Sequence, residues 1–301
     1  MLDLLPWRHN ESSKYVTGER LQSLASVTVT TPDILKVYPI SVEEAAVFQD
    51  FKGGLAARPD ALARLQGRPS IFVYARLLES FFREVFPKLT HRFVMLSHNG
   101  DEAIDNRFLP WLDDDRIAHW YAQNVAIRHP KLTAVPIGIA NACFGHGNLA
   151  ALAEVARTRH SRSRIIYANF EVATNRAVRQ PILDHLRATD GVWIAPFRPF
   201  EEYLRDLAGC RWCVSPPGNG IDCHRTWEAL YLGVIPVVQR SAGIEQLLDG
   251  FPAVVVDDLR SISLASVAQA SEAFVAKSFD QPRLTLRYWQ DRIAKQVAGL
   301  R

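Results

Sequence analysis

The chain has 301 residues, 48% of them apolar and 22% charged. That balance excludes a disordered, collagen-like or coiled-coil protein and leaves room for two compact domains of about 150 residues each. Thirty-five basic residues against 32 acidic ones give a formal charge of +3, too even to mark a nucleic-acid groove, although a local arginine cluster can still hold a phosphorylated ligand.

The first 25 residues, with Pro6 and Gly18, show little periodicity and read as a lead-in. From Ser26 short β-branched or apolar runs alternate with amphipathic stretches, the pattern of α/β units around a parallel sheet. Strands are expected at 27–30, 71–74, 92–96, 117–121 and 132–135. Leu78, Phe81, Phe82 and Val85 fall at i, i+3, i+4 and i+7, predicting a helix over 77–85. Gly138, Asn141, Gly145, Gly147 and Asn148 then make a turn-rich break, which sets the expected domains at 1–150 and 151–301.

The second half repeats the alternation. Strands are expected at 164–167, 192–195, 212–215, 235–238 and 253–256, with helices at 176–187, 200–208, 224–232 and 244–248. Two helical stretches, 264–278 and 284–297, end the chain. The expected class is therefore α/β: two Rossmann-like domains facing a central cleft, with C-terminal helices. Ligands of doubly wound sheets bind beyond the carboxyl ends of the strands, so informative residues should follow strands. No run reaches the 18 or so apolar residues that span a bilayer, and Met1 to His9 lacks an apolar signal run. The expected location is cytoplasmic, with peripheral contact to the inner face of a membrane left open.

The most informative stretch runs from Cys213 to Val238. An apolar strand ends at Ser215, a Pro-Pro-Gly-Asn-Gly loop follows, and a helix starts near Asp222 or His224. Gly218 and Gly220 permit a tight turn and close backbone approach around Asn219, and the new helix offers unpaired N–H groups to an anion. Arg225 falls in the first helical turn, where the helix dipole disfavours a cation, so a diphosphate would account for it. Glu228 follows on nearly the same face, where a carboxylate can accept both hydroxyls of a ribose. The plainer account is a loop capped by Asp222 and a surface ion pair between Arg225 and Glu228.

This stretch, S-P-x-G-x-G-x-D-x-H-R-x-W-E-A-L-x-x-G-x-I-P-V-V, resembles the donor-binding motif of exostosin-like glycosyltransferases and related GT-B enzymes, closely over about 25 residues and loosely over the second half. The resemblance implies a nucleotide-diphosphate sugar donor, with Arg225 on the diphosphate and Glu228 on the ribose; Ser215 and His224 fall within the matched motif. It further implies transfer to a carbohydrate or glycolipid acceptor, as in surface polysaccharide or glycan synthesis. Uridine as the base rests on analogy alone, and fucosyl- or Kdo-type transferases are neighbouring readings. No cofactor and no nucleic-acid partner are expected. Asp113-Asp114-Asp115 precedes a strand and reads as a solvated turn, so no metal is assigned.

Other donor candidates follow strands in the second half: Asn169, Asn175 with Arg176 at a helix start, and Phe197 beside Arg198. Asn175 could equally be a helix cap and Phe197 a core aromatic. In the first half Ser97 to Glu102 follows a strand, and an inverting transfer needs a base near the acceptor hydroxyl. His98 is the first choice and Asp101 the second, with Asn99, Gln123 and Asn124 as acceptor ligands; His119 lies inside a strand and reads as a core histidine. Cys210-x-x-Cys213 with Cys223 lacks a second zinc pair, and Cys213 reads as a buried strand residue. The competing function is a non-catalytic protein that binds a nucleotide or glycan. A dinucleotide oxidoreductase loses for want of an early G-x-G-x-x-G.

Overall fold

A computed structural model of the chain describes residues 15–51, 54–56, 58–274 and 282–300. It divides into two compact units: Val16–Ile137 together with the stretch from Thr285 onward, and Gly138–Leu284 joined by Tyr15. The division falls at 137/138, not at 150/151, because the turn-rich segment is tied to the later unit; the carbonyl of Gly138 accepts a hydrogen bond from His224 Nδ1 at 2.7 Å. The terminal helix Leu286–Ala298 belongs with the earlier unit, where Trp289 and Ile293 are buried.

The earlier unit is built on a six-stranded, wholly parallel sheet. Its strands are β1 (Val27–Thr30), β2 (Ala45–Val47), β5 (Ser70–Tyr74), β6 (Phe93–His98), β7 (Ile117–Ala122) and β8 (Leu132–Ala134), in the order β2-β1-β5-β6-β7-β8. A separate antiparallel hairpin comprises β3 (Gln49–Phe51) and β4 (Gly54–Ala56). Strands such as SIFVY and FVMLSH are buried along their whole length, as a sheet covered on both faces requires.

Two expectations need correction here. Val16, Thr17, Leu21 and Gln22 are buried, so the described part of the lead-in belongs to the core. Thr17 caps a five-residue helix, Gly18–Gln22, too short to leave a periodic signature. The apolar face over 77–85 is buried as expected, but its backbone winds through a 3₁₀ turn (Ala75–Leu77), one α turn (Leu78–Ser80) and a π turn (Phe81–Val85). Pro87 follows in a further 3₁₀ turn, where its missing N–H closes regular helix formation.

The later unit has a five-stranded parallel sheet in the order β10-β9-β11-β12-β13: β9 (Ser163–Ala168), β10 (Val192–Ile194), β11 (Cys210–Val214), β12 (Ile235–Gln239) and β13 (Val254–Val256). Helices occupy Leu149–Arg157, Arg176–Arg187, Phe200–Ala208, His224–Tyr231, Ala242–Leu248 and Leu264–Glu272. The expected extension of the last to 278 runs into residues outside those described. Trp212, Val214, Ile235 and Val237 of the sheet pack with Ile182, Leu186 and Val267 of the helices. Counted within the unit, the strand order is 2-1-3-4-5, a doubly wound arrangement whose direction reverses between β9 and β11. The earlier sheet has the same kind of reversal between β1 and β5. Both units are thus Rossmann-like, with ligand positions set by topology beyond these strand pairs. Among the described residues no helix is long and apolar enough to cross a membrane.

Candidate functional site

In the later unit the loops after β9 and β11 meet at the reversal point. The loop after β11 is fixed by its own polar groups. Asp222 Oδ2 accepts the Trp227 indole N–H at 2.7 Å and its Oδ1 accepts the Cys223 amide at 2.8 Å. Ser215 Oγ accepts from Thr226 Oγ1 at 2.9 Å, and Asn175 Nδ2 donates to the Gly218 carbonyl at 2.9 Å. Asp222, Ser215 and Asn175 therefore shape the loop. Asn219 at its tip is exposed, with Gly218 and Gly220 half-buried on either side. Cys223 holds the N-cap position of helix His224–Tyr231 without a side-chain cap, which leaves the helix N-terminus open to an anion.

Arg225 and Glu228 stand one turn apart on this helix, and they differ from the surface ion pair of the plainer account. The Nε and Nη1 atoms of Arg225 are buried and have no hydrogen-bond partner among the described residues. Burial opposes the charge, while Tyr203, Cys213, Cys223 and Glu228 around it favour the protonated form. Glu228 is 3% exposed and accepts the Tyr203 hydroxyl on Oε2 at 2.6 Å. Burial pushes its carboxyl above the ordinary value, against the pull of Tyr203 and Arg225. The Tyr167 hydroxyl, from β9, is likewise buried without a partner among the described residues. Unmet polar groups of this kind cost free energy, so a buried cation and a hydroxyl left unmet beside the reversal point make it the candidate ligand site.

Sequence reasoning missed Arg179. It is 5% exposed and donates through Nε to Pro217 O at 3.0 Å, through Nη2 to Pro216 O at 3.1 Å and through Nη1 to Glu171 O at 2.6 Å. Its guanidinium lies 5.7 Å from the Phe170 ring centroid, and that of Arg225 lies 5.9 Å from the same centroid. Two buried cations thus share one aromatic ring at the reversal point. The available signal was the one used for Arg225, a cation in the opening turns of a strand-following helix; Arg176 drew it instead, and Arg176 is exposed. Asn169 ties its loop to the next through Nδ2 and Pro196 O at 2.9 Å. Phe197 is 72% exposed, so it is no core aromatic, and Arg198 pairs with Asp206 at 2.8 Å.

The candidates of the earlier unit are differently placed. His98 is 2% exposed, with Nε2 donating to Pro136 O at 3.1 Å and Nδ1 accepting the Asn99 amide at 2.8 Å. Both ring nitrogens are committed, and helix Gly18–Gln22 closes over them: a Cβ on Gly18 would come within 2.6 Å of His98 Nδ1. His98 therefore cannot take a proton from an acceptor in this arrangement, which corrects its expected role as base. Gln123 accepts the Asn99 amide at 3.1 Å, and Asn124 donates to Gly100 O at 3.2 Å, so both brace the loop from inside it. Asn99 and Asn124 adopt left-handed conformations, with φ of 60° and 54°. Asp101 is exposed on that loop. His119 is held by Thr133 at 2.8 Å, as a core histidine.

Cys210 and Cys213 are buried in β11, where burial pushes their thiols up to about 11 and about 12. Among the described residues no cluster of three His, Cys, Asp or Glu could hold a metal ion. Asp113 and Asp114 are paired with His129 and Arg116.

No family model matches the sequence, and no curated protein sequence matches it significantly. Among solved structures the chain is similar to a UDP-GlcNAc 2-epimerase from Methanocaldococcus jannaschii, at 8% identity and a TM-score of 0.43 over 91% of this chain and 99% of that one. It is also similar to an α1,3-fucosyltransferase with GDP-fucose, at 9% identity and TM-score 0.44 over 93% and 95%. The spinosyn forosaminyltransferase SpnP matches at 13% identity and TM-score 0.42 over 93% and 91%. Likeness this distant carries no argument about substrate or chemistry, and the doubly wound fold rests on the two sheets themselves.

Proposed function

We propose that the chain is a GT-B-type glycosyltransferase that moves a sugar from a nucleoside-diphosphate donor to a carbohydrate or glycolipid acceptor, in the synthesis of a surface polysaccharide or glycan. The donor is taken by the Gly138–Leu284 unit and the acceptor by the Val16–Ile137 unit. One observation carries the reading: a buried arginine, Arg225, whose Nε and Nη1 have no hydrogen-bond partner among the described residues, in the first turn of a helix without a side-chain cap after the central strand. As the sugar leaves, negative charge gathers on the departing diphosphate. Preorganised cations and amide N–H groups stabilise that charge without reorganising at the moment of reaction. Arg225 and the helix N-terminus supply them here, and Arg179, whose N–H groups are spent on the loop, adds only the field of its fixed charge. The proposed transfer is therefore metal-independent and persists in EDTA, and loss in EDTA restored by manganese overturns that point.

Glu228 is assigned to the ribose hydroxyls and the exposed Phe197 to the base. Asn169, Asn175, Asn219 and the two loop glycines shape the walls. With His98 committed, Asp101 is the candidate base for an inverting transfer; a retaining transfer would need none. The sealed His98 also favours the second reading, a nucleotide-binding protein without turnover.

Thermal unfolding with a panel of UDP, GDP and their sugars tests the donor assignment. A bound nucleotide at 100 times its dissociation constant stabilises the native state by about 2.7 kcal/mol. Arg225→Ala is expected to weaken nucleoside-diphosphate affinity about 100-fold, the scale of lost charge-assisted hydrogen bonds. Absence of stabilisation by every nucleotide, or unchanged affinity in the variant, overturns the assignment.

A further inference from the structure

Glu228 can serve a ribose only if its carboxylate is held in one orientation, and the side chain that holds it comes from a different helix. Tyr203 lies on helix Phe200–Ala208, and its hydroxyl donates to Glu228 Oε2 at 2.6 Å. The ring is itself fixed, with Phe200 stacked at 6.0 Å and Tyr167 tilted against it at 6.1 Å. A hydroxyl donor to one carboxylate oxygen turns the other toward whatever remains, and a short O–H···O bond to an ionised acceptor is the stronger kind.

We propose that Tyr203 is the positioning residue of the donor site: it locks the Glu228 carboxylate so that the site selects nucleotides carrying an intact ribose diol. This rests on the donor reading given above. Tyr203 touches no substrate and acts through Glu228. The groups facing that carboxylate are Tyr203 and Arg225, with Cys213 beside both of them. Removing the hydroxyl leaves a buried carboxylate with one neighbour fewer to hold it ionised and nothing to fix its rotamer. The predicted effect is a loss of diol recognition specifically, with phosphate recognition kept.

The experiment measures dissociation constants of UDP and GDP, and of their 2′,3′-dideoxy counterparts, for wild type, Tyr203→Phe, Glu228→Gln and the double variant. Wild type should prefer the ribose form about tenfold or more, on the scale of hydrogen bonds to a charged group. Tyr203→Phe should lose most of that preference while binding the dideoxy forms as wild type does, which also shows that the variant is folded. In the Glu228→Gln background the same replacement should have little further effect, because the two side chains act as a unit. A Tyr203→Phe protein that keeps the full ribose preference overturns the proposal, as does an effect that survives undiminished beside Glu228→Gln. Should Tyr203→Phe not fold, a Glu228→Gln protein with unchanged ribose preference overturns it as well. Wild type that binds the nucleotides without preferring ribose defeats this inference alone; wild type that binds no nucleotide defeats the donor reading with it.

Discussion

The loop after β6 and the loop after β11 look alike in sequence: each follows an apolar strand, carries glycine and asparagine, and offers a histidine or arginine beside an acid. Their interiors differ. In the first, His98, Gln123 and Asn124 spend their polar groups on Pro136, Asn99 and Gly100. In the second, Arg225 and Tyr167 keep buried polar atoms unmet among the described residues. Polar composition marks a strand end as a candidate, and so does a single buried amide such as Asn99 Nδ2; what separates the second loop is a buried cation, Arg225, with its Nε and Nη1 donors unmet among the described residues.

Three experiments press on that contrast. The largest effect is expected in turnover. Asp101→Asn should lower it about 100-fold with nucleotide affinity unchanged, the usual scale of a lost general base. The other strand-end candidate, His98→Asn, should instead lower the unfolding temperature. Normal turnover in Asp101→Asn removes Asp101 from the mechanism and favours a retaining transfer, whereas no turnover in the wild type favours the binding protein.

Next come two matched glycine substitutions. In Gly18→Ala the new Cβ would sit 1.7 Å from Asn99 Oδ1 and 2.6 Å from His98 Nδ1. Overpacking of this kind costs about 1–3 kcal/mol, read in urea unfolding, and nucleotide affinity should stay as it was. In Gly218→Ala the contact is with Arg179 Nη2 at 2.8 Å, on a buried guanidinium held by the Pro216, Pro217 and Glu171 carbonyls, so stability falls here as well. Loosening of the Pro216 and Pro217 carbonyls should in addition weaken nucleotide binding severalfold. The reverse pattern, with Gly18→Ala harming binding and Gly218→Ala leaving it unchanged, would erase the distinction between scaffold and site.

The smallest effect is in pH. Burial pushes His98 below the ordinary histidine value, and burial, with Arg292 next, pushes His119 to about 4. The unfolded chain then binds protons near pH 6.5 that the folded chain refuses, so stability is intact above that value and falls as pH drops toward 4. The slope is at most about 1.4 kcal/mol per pH unit for each histidine, and less for the partly exposed His119. Glu228 acts with the opposite sign: its raised carboxyl contributes fully below about 4.5 and loses that contribution as pH rises. Thermal unfolding between pH 7.5 and 4.5 should therefore show an acid limb that His119→Gln flattens. An unchanged limb in that variant would place the acid sensitivity elsewhere.

What the sequence disclosed follows from the range of the forces involved. Helices at 176–187 and 200–208 were legible because periodicity and caps are local, and the later sheet because its strands are continuous apolar runs. The inward turn of Trp227 and the shared face of Arg225 and Glu228 were legible for the same reason. The fate of His98 was not, since it is decided by Gly18 and Pro136, each far away in the chain. Arg179 was hidden likewise: its partners Pro216 and Pro217 lie almost 40 residues further on. The helix at 18–22 was too short to show any period.

The placement of helix Leu286–Ala298 has a consequence for biosynthesis. It packs with helix Gly18–Gln22 and β6, and the Tyr121 hydroxyl donates to the Arg292 carbonyl at 3.4 Å. The unit that the ribosome begins at Val16 thus lacks part of its covering until residues beyond Thr285 have been made, whereas Gly138–Leu284 is complete earlier. Nascent domains usually finish in the order of their synthesis. Here the order is inverted, and a nascent chain halted near residue 284 would carry a finished later unit beside an earlier one whose apolar flank, around Leu21, still awaits Trp289 and Ile293.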